Sequence, residues 1–401
     1  MPMPTSRTIS GIICLGATAA PLALAPMQLD RSLTFVREME NRTPNAFPGF
    51  GSIDDLMDAQ WWASISRAFE DRAPFRKEMI SLERMLGLSA SGMASKTIAY
   101  GTGQWLFWYA ALADNLGSVE YVERAIAAMD RFFDGPPFSA DLFILVAPDK
   151  ATIYPEKLLD SSRAIFEPSI PQRDLLHNWF AEPGHPERID LWTQMHHRKA
   201  ELDPLGELLY EPGGSHFNSV GAMVMAKAMV DAADVDDSGD SSLWNDDSEL
   251  VEIWTRTQAP ELALRGGEWG RIETQTHSQI RRAGVMIKEL WDEDRRIAGP
   301  DFLSITEITY HNRKRIVSES ATRRLIPGKT LVIHDSFIAV YLYPTLSQFF
   351  EDLTFIHVGY ITPGEFRQAL DSYDRVYFES AEHYFPERAI EYFEQTGAAT
   401  P

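Results

Sequence analysis

Apolar residues recur at helical spacing from Ile53 to about Leu88: Leu56, Trp61, Trp62, Ile65 and Phe69, then Met79, Leu82, Met85 and Leu86. The segment Asp71 to Arg76 (DRAPFR) divides that stretch in two. Ile98 to Trp108 (IAYGTGQWLFW) predicts a hairpin turning at Gly101 and Gly103. Val119 to Phe133 carries the stripe of an amphipathic helix, with Ser118 where an N-cap is needed and Gly135-Pro136-Pro137 to end it. Leu142 to Ala147 (LFILVA) is a short unbroken apolar run, the pattern of a parallel strand buried on both faces. Asn218 to Ala233 predicts a further helix.

The C-terminal third alternates between the two periods. A strand over Lys329 to Asp335 (KTLVIHD) precedes a helix from Phe337 to Phe350. Then follow a strand near Leu353 to Val358, a helix from Pro363 to Leu370, a strand from Arg375 to Phe378 and a last helix after Pro386. This rhythm predicts an α/β fold, a mostly parallel sheet covered by helices on both faces. There is no internal repeat and no low-complexity tract. The predicted organisation is a targeting segment over 1–27, a linker and helical extension over 28–94, and one α/β domain over 95–401.

The uncharged run Ile9 to Met27, behind the single Arg7, resembles a signal-peptide core or a weak membrane anchor, and Ala23-Leu24-Ala25 resembles a cleavage site followed by Pro26. Cys14 is the sole cysteine, so no internal disulfide can form, and Gly11-Ile12-Ile13 ahead of it lacks the small residue of a lipidation site. The net charge is −21. A surface so acidic repels phosphate backbones and excludes nucleic acid as a partner. The acidic stretch Asp234 to Asn245 has some ligand positions of a calcium loop, but Asn245 stands where the bidentate glutamate is required, and a solvated loop is the better reading. No metal-binding or phosphate-cradling motif is present, so neither a metal nor a cofactor is expected.

Chemistry centres on Ser336. An apolar strand running into Asp335-Ser336 and then a helix puts this hydroxyl at the carboxyl end of a sheet strand, where open α/β sheets collect ligands. A helix starting there offers unpaired N–H groups to an oxyanion, although Asp and Ser are also ordinary caps. A base is needed, and the periodicity does not choose among ten histidines. His196 and His197 read as a polar pair, His334 would turn away from whatever Asp335 faces, and His216 lies in the Gly-rich turn Tyr210 to Asn218 (YEPGGSHFN).

Several segments together resemble the alginate O-acetyltransferase family of the AlgX/AlgJ type. In family order they are DRAPFR, GTGQWLFW (Gly101 to Trp108), LVAPDKATIYPEKL (Leu145 to Leu158), Gly214-Ser215-His216-Phe217-Asn218, the serine block LVIHDSF with LSQFF, and YDRVYFESAEH (Tyr373 to His383). The resemblance covers about 52–386 and implies an SGNH-hydrolase-like three-layer α/β/α sandwich. It also implies an envelope or periplasmic protein that acetylates an exopolysaccharide, fed by a membrane-bound acetyl-donor partner. With little chain after the closing block, the plan is closer to AlgJ than to AlgX. Carried over by position, Ser336 is the nucleophile and His216 its base.

The family's aspartate, two residues before the histidine, is Gly214 here; its tryptophan is Phe217 and its closing arginine His383. Another carboxylate fills the role, with Glu211 nearest in sequence, or the site works as a Ser–His dyad, or the chain binds glycan without turning it over. Trp105, Lys150 and Tyr154 are candidates for substrate contact, with core packing or a local hydrogen-bond network as their plain alternatives. Glu379 and Glu382 are expected to pair with arginine or backbone, and Asp335 to cap the helix.

Overall fold

The computed structural model describes residues 45–47, 59–71, 98–113, 116–234, 243–245, 248–258, 262, 273–293, 295–301, 305 and 313–394. The apolar run Ile9 to Met27, most of the second half of the 53–88 stretch and residues 235–242 of the acidic loop lie outside them. No helix among the described residues is long and apolar enough to cross a membrane. The chain divides into two compact units, 1–98 with 261–271, and 99–260 with 272–401. In the first, α1 (Ala59–Asp71) buries Ala68 and half-buries Trp61 and Ile65 on one stripe, as the helical spacing requires.

The expected hairpin is β1 (Ile98–Tyr100) and β2 (Leu106–Trp108), with Gly103 at φ 58° in the turn between them. Helix α2 (Val119–Phe133) starts at Ser118, whose side chain accepts from the Tyr121 N–H. Strand β3 (Asp141–Ala147) follows, then α3 (Ile170–Ala181), β4 (Arg188–Ile189), α4 (Leu191–Leu202) and α5 (Ser219–Ala233). The hairpin β5 (Ser248–Gln258) and β6 (Glu273–Arg282) is a separate two-stranded sheet. It is tied down where Ser278 N donates to Ser219 Oγ (2.9 Å) and Ile280 N to Thr345 Oγ1 (3.2 Å). Strands β7 (Val285–Asp292), β8 (Arg295–Arg296), β9 (Lys314–Ser320), β10 (Ile326–His334), β11 (Phe350–His357) and β12 (Arg375–Ala381) complete the chain. Among them stand helices α6 (Ser336–Tyr341), α7 (Pro363–Ser372) and α8 (Phe385–Ala389).

The main sheet has eight strands in the order β4-β3-β12-β10-β11-β9-β7-β8. From β4 to β11 neighbours run parallel; β9, β7 and β8 are added antiparallel at one side. Alternation along β10 sorts the two cores. Leu331 and Ile333 pack under α2, α3, α7 and α8, whereas Val332 packs under α4 and α5. The result is a three-layer α/β/α sandwich. Each such fully buried side chain contributes about 1.5–3 kcal/mol of apolar transfer.

One expected element is different. A single helix over Phe337 to Phe350 is absent: α6 stops at Tyr341, a further turn spans Tyr343–Leu346, and β11 already begins at Phe350. Pro344 has no N–H to give and its ring collides with a carbonyl one turn earlier, so the helix breaks there. The antiparallel side was also not expected. On β9 the buried Lys314, Ile316 and Ser318 alternate with half-buried Arg315 and Val317 and exposed Glu319, so two of the three covered positions are polar.

Candidate active site

Ser336 stands at the carboxyl end of β10, half-buried at the first position of α6, where its N–H has no intrahelical acceptor. Asp335 makes the corner. Its Oδ1 accepts the Phe337 N–H (2.9 Å) and its Oδ2 the Ala381 N–H (2.5 Å). Its own N–H donates to Glu379 Oε2 (2.9 Å), so strand β12 holds the turn carrying Ser336 from the side. Asp335 is thus a cap, as expected. Burial, and then the facing Asp335, push the Glu379 carboxyl well above the usual range.

His334 points away from the serine. It is fully buried, its Nδ1–H donates to the Asp335 carbonyl (2.6 Å), and its Nε2 accepts from the Tyr343 hydroxyl (3.0 Å). Desolvation drives its pKa down to about 3, so the ring is neutral. That removes it from the contest for base.

His216 is the histidine placed beside the serine. Its Nε2 lies 2.8 Å from Ser336 Oγ, the separation at which an imidazole can take a hydroxyl proton. The two residues are brought together from 120 positions apart. Ser215 Oγ is 3.1 Å from Nδ1. Phe337 meets the His216 ring edge-on at 5.0 Å and Phe217 at 4.7 Å, so one aromatic wedge supports both the histidine and its neighbour.

The segment carrying His216 is a closed loop. Tyr210 and Phe217 form an antiparallel bridge at its neck. Asn218 caps α5 through Val220 N (2.9 Å) and Gly221 N (3.0 Å), and its own N–H returns to Leu209 O (2.9 Å). Gly221 is required there: a Cβ would stand 2.4 Å from the Leu209 carbonyl. Glu211 is half-buried in the loop, and its Cβ lies 3.1 Å from where a Cβ on Gly214 would stand.

Lys150, Tyr154 and Trp105 gather behind this loop and are buried, with 5%, 1% and 5% of their surface exposed. Lys150 Nζ donates to the carbonyls of Leu106 (2.9 Å), Glu211 (2.6 Å), Pro212 (2.7 Å) and Gly214 (2.9 Å). Tyr154 accepts the Leu209 N–H (3.0 Å), and burial raises its hydroxyl to about 12. Trp105 packs on Tyr154 at 4.8 Å and under the Lys150 ammonium at 4.8 Å. Of the two expectations for these residues, substrate contact or a local network, the placement matches the network. Burial leaves them no open face for a sugar.

A second polar cluster sits at the carboxyl ends of β3 and β12. Arg173 Nη1 pairs with Asp149 Oδ2 (2.9 Å) and Glu382 Oε1 (2.7 Å), and His383 Nδ1 pairs with Asp149 Oδ1 (2.5 Å). All four are buried. Desolvation works against the charge on Asp149, yet His383 and Arg173 hold its carboxyl below the usual range; burial likewise opposes the His383 charge, and Asp149 wins and raises it. Glu382 is raised by burial against the pull of Arg173. Thus Glu382 pairs with arginine and Glu379 with backbone, as expected. Arg173 carried no signal in the sequence. Among the described residues no group of three or more His, Cys, Asp or Glu could hold a metal.

No family model and no curated protein matches the chain. Solved structures do. Bacillus cereus PatB1 carrying a sulfonyl adduct is 14% identical, with 72% of this chain and 97% of that one covered at a TM-score of 0.49. The O-acetyltransferase domain of Pseudomonas putida AlgJ is 14% identical over 72% and 92% of the two chains, TM-score 0.42. Pseudomonas aeruginosa AlgX is 14% identical over 72% and 62%, TM-score 0.39.

Proposed function

We propose that this chain is an O-acetyltransferase that moves acetyl groups onto hydroxyls of a polysaccharide through an acetyl-Ser336 intermediate. The observation that carries the reading is the 2.8 Å separation of His216 Nε2 and Ser336 Oγ at the carboxyl edge of the sheet. In the first half-reaction Ser336 Oγ attacks the acetyl carbonyl, His216 Nε2 takes its proton, and the donor's leaving group departs with that proton. The oxyanion forms beside the unpaired N–H at the start of α6. In the second, a sugar hydroxyl gives its proton to Nε2 and attacks the acetyl ester, and Ser336 Oγ leaves with the proton restored. Water in place of the sugar makes the same site an esterase.

Glu211 is the proposed third member, because its stem occupies the side of the loop from which a residue-214 carboxylate would begin. The proposed setting is the periplasm or cell envelope, with a membrane-bound acetyl-donor partner. Alginate is the proposed substrate class on the motif resemblance alone. The glycine at 214 favours a second reading, a glycan-binding or scaffold protein of a secretion complex whose acyl-transfer site is silent. A chromogenic acetyl ester separates the two: the enzyme gives a burst and turnover that Ser336→Ala abolishes, and the scaffold gives neither while still binding glycan. Turnover unchanged in Ser336→Ala would sink the first reading.

A further inference from the structure

The histidine loop is built against an ammonium. Between the paired Tyr210 and Phe217 run Glu211-Pro212-Gly213-Gly214-Ser215-His216, a segment whose glycines leave its backbone unusually free. Such a loop has no reason of its own to hold an imidazole at one distance from a serine. Three of its carbonyls, those of Glu211, Pro212 and Gly214, nevertheless converge with that of Leu106 on Lys150 Nζ at 2.6–2.9 Å. Lys150 comes from the other side, at the start of the helical turn Lys150–Ile153 that follows β3. The ammonium is closed off by the rings of Trp105 (4.8 Å) and Phe107 (5.3 Å).

We propose that Lys150 is a positioning residue for His216: its ammonium, through the carbonyls of the loop, sets the distance between His216 and Ser336. Burying an ammonium is costly unless it is fully hydrogen-bonded, and four carbonyl oxygens surround the three ammonium protons here. The loop therefore cannot turn its carbonyls elsewhere without stranding a buried charge. Gly214 O is one of those acceptors, two residues from the imidazole. Lys150 acts on the reaction through His216 and touches neither acetyl group nor sugar.

The inference rests on acyl transfer for its kinetic readout only. In the full chain, Lys150→Met removes the charge at similar length and Lys150→Gln keeps part of the hydrogen bonding. Val376→Ala, on the opposite face of the sheet, serves as a stability control. The probes are a neutral alkyl fluorophosphonate, which labels Ser336, a chromogenic acetyl ester, and amide hydrogen exchange over 208–218. Labelling and kcat should fall on the order of 100-fold in Lys150→Met, with Lys150→Gln between it and the parent and KM within a few-fold. Exchange over 208–218 should speed up in the same order, and Val376→Ala should show neither effect at equal thermal stability. A raised KM with kcat and labelling intact would make Lys150 a substrate contact and overturn the proposal. If the parent chain is not labelled, acyl transfer fails, and the exchange data still decide: unchanged exchange in both Lys150 variants refutes the positioning role.

Discussion

Two histidines lie at the carboxyl edge of the same sheet, close in sequence to a carboxylate or a serine, and they are built to opposite ends. His383, just beyond β12, is buried with its Nδ1 on Asp149, and Asp149 shares Arg173 with Glu382. His216 is half-buried, on a glycine-rich loop, and meets a hydroxyl. In the first centre Arg173 and His383 share the two buried carboxylates, which favours one fixed arrangement, and only His383 Nε2 is left without a partner. In the second the half-buried ring, with Phe337 on its edge and Lys150 behind its loop, faces the hydroxyl of a half-buried serine. An acid and a histidine in contact are therefore not by themselves a sign of catalysis. Access decides.

The sharpest way to separate the centres is to remove each key residue. His216→Ala should cut acetyl-ester turnover by on the order of 10⁴-fold or more while the melting temperature stays near that of the parent chain. Arg173→Met should do the reverse. It strands Asp149 and Glu382 in the core and should cost about 3–5 kcal/mol in a denaturant titration, with Ser336 still labelled at temperatures where the chain is folded.

The third member of the site comes next. Glu211→Gln should lower kcat on the order of 100-fold, short of the loss from removing the base. Gly214→Asp alone should also lower it, because its Cβ meets Glu211 Cβ at 3.1 Å. The double change Gly214→Asp with Glu211→Gly removes that Cβ and should recover activity; a gain in rate from Gly214→Asp alone would show that Glu211 does not fill the role.

The smallest effect tests the support of the serine's turn. Glu379 has a folded-state pKa raised by burial and then by Asp335. Between the ordinary glutamate value and the raised one, the unfolded chain has lost the proton and the folded chain keeps it. Stability is therefore full below the ordinary value and falls as pH rises toward the raised one. Glu379→Gln should flatten that slope, seen as a melting temperature that gains on the parent chain from mildly acid to alkaline pH. The opposite holds for His334, whose pKa is lowered to about 3: its contribution is lost as pH falls below the ordinary histidine range.

Much of this was legible in the sequence where one local rule governs. Ser118 capping α2, the buried run of β3 and the strand entering Asp335-Ser336 all follow from period and capping chemistry. The position of Ser336 at a strand end followed from the same pattern, and His216 came from the motif resemblance. What stayed hidden depends on long-range approach. Lys150 reaches carbonyls 44 to 64 residues away, and Arg173 meets Glu382 from a helix whose sequence has no marked apolar stripe. Nothing in LVAPDK distinguishes a lysine that faces a ligand from one that faces a backbone. The antiparallel strands gave a weak signal beside the apolar runs of β3 and β10, because β7 buries only Leu290 and two of the three buried positions of β9, Lys314 and Ser318, are polar.

The most direct test is intact-mass and peptide spectrometry of the full chain after brief exposure to a chromogenic acetyl ester. Acyl transfer through the His216–Ser336 pair predicts a single acetyl adduct on the peptide containing Ser336. That adduct should be discharged by added oligosaccharide and be absent from Ser336→Ala and His216→Ala. An unmodified Ser336 under conditions where the parent chain turns the ester over, or an adduct that persists in His216→Ala at the same rate, would contradict it.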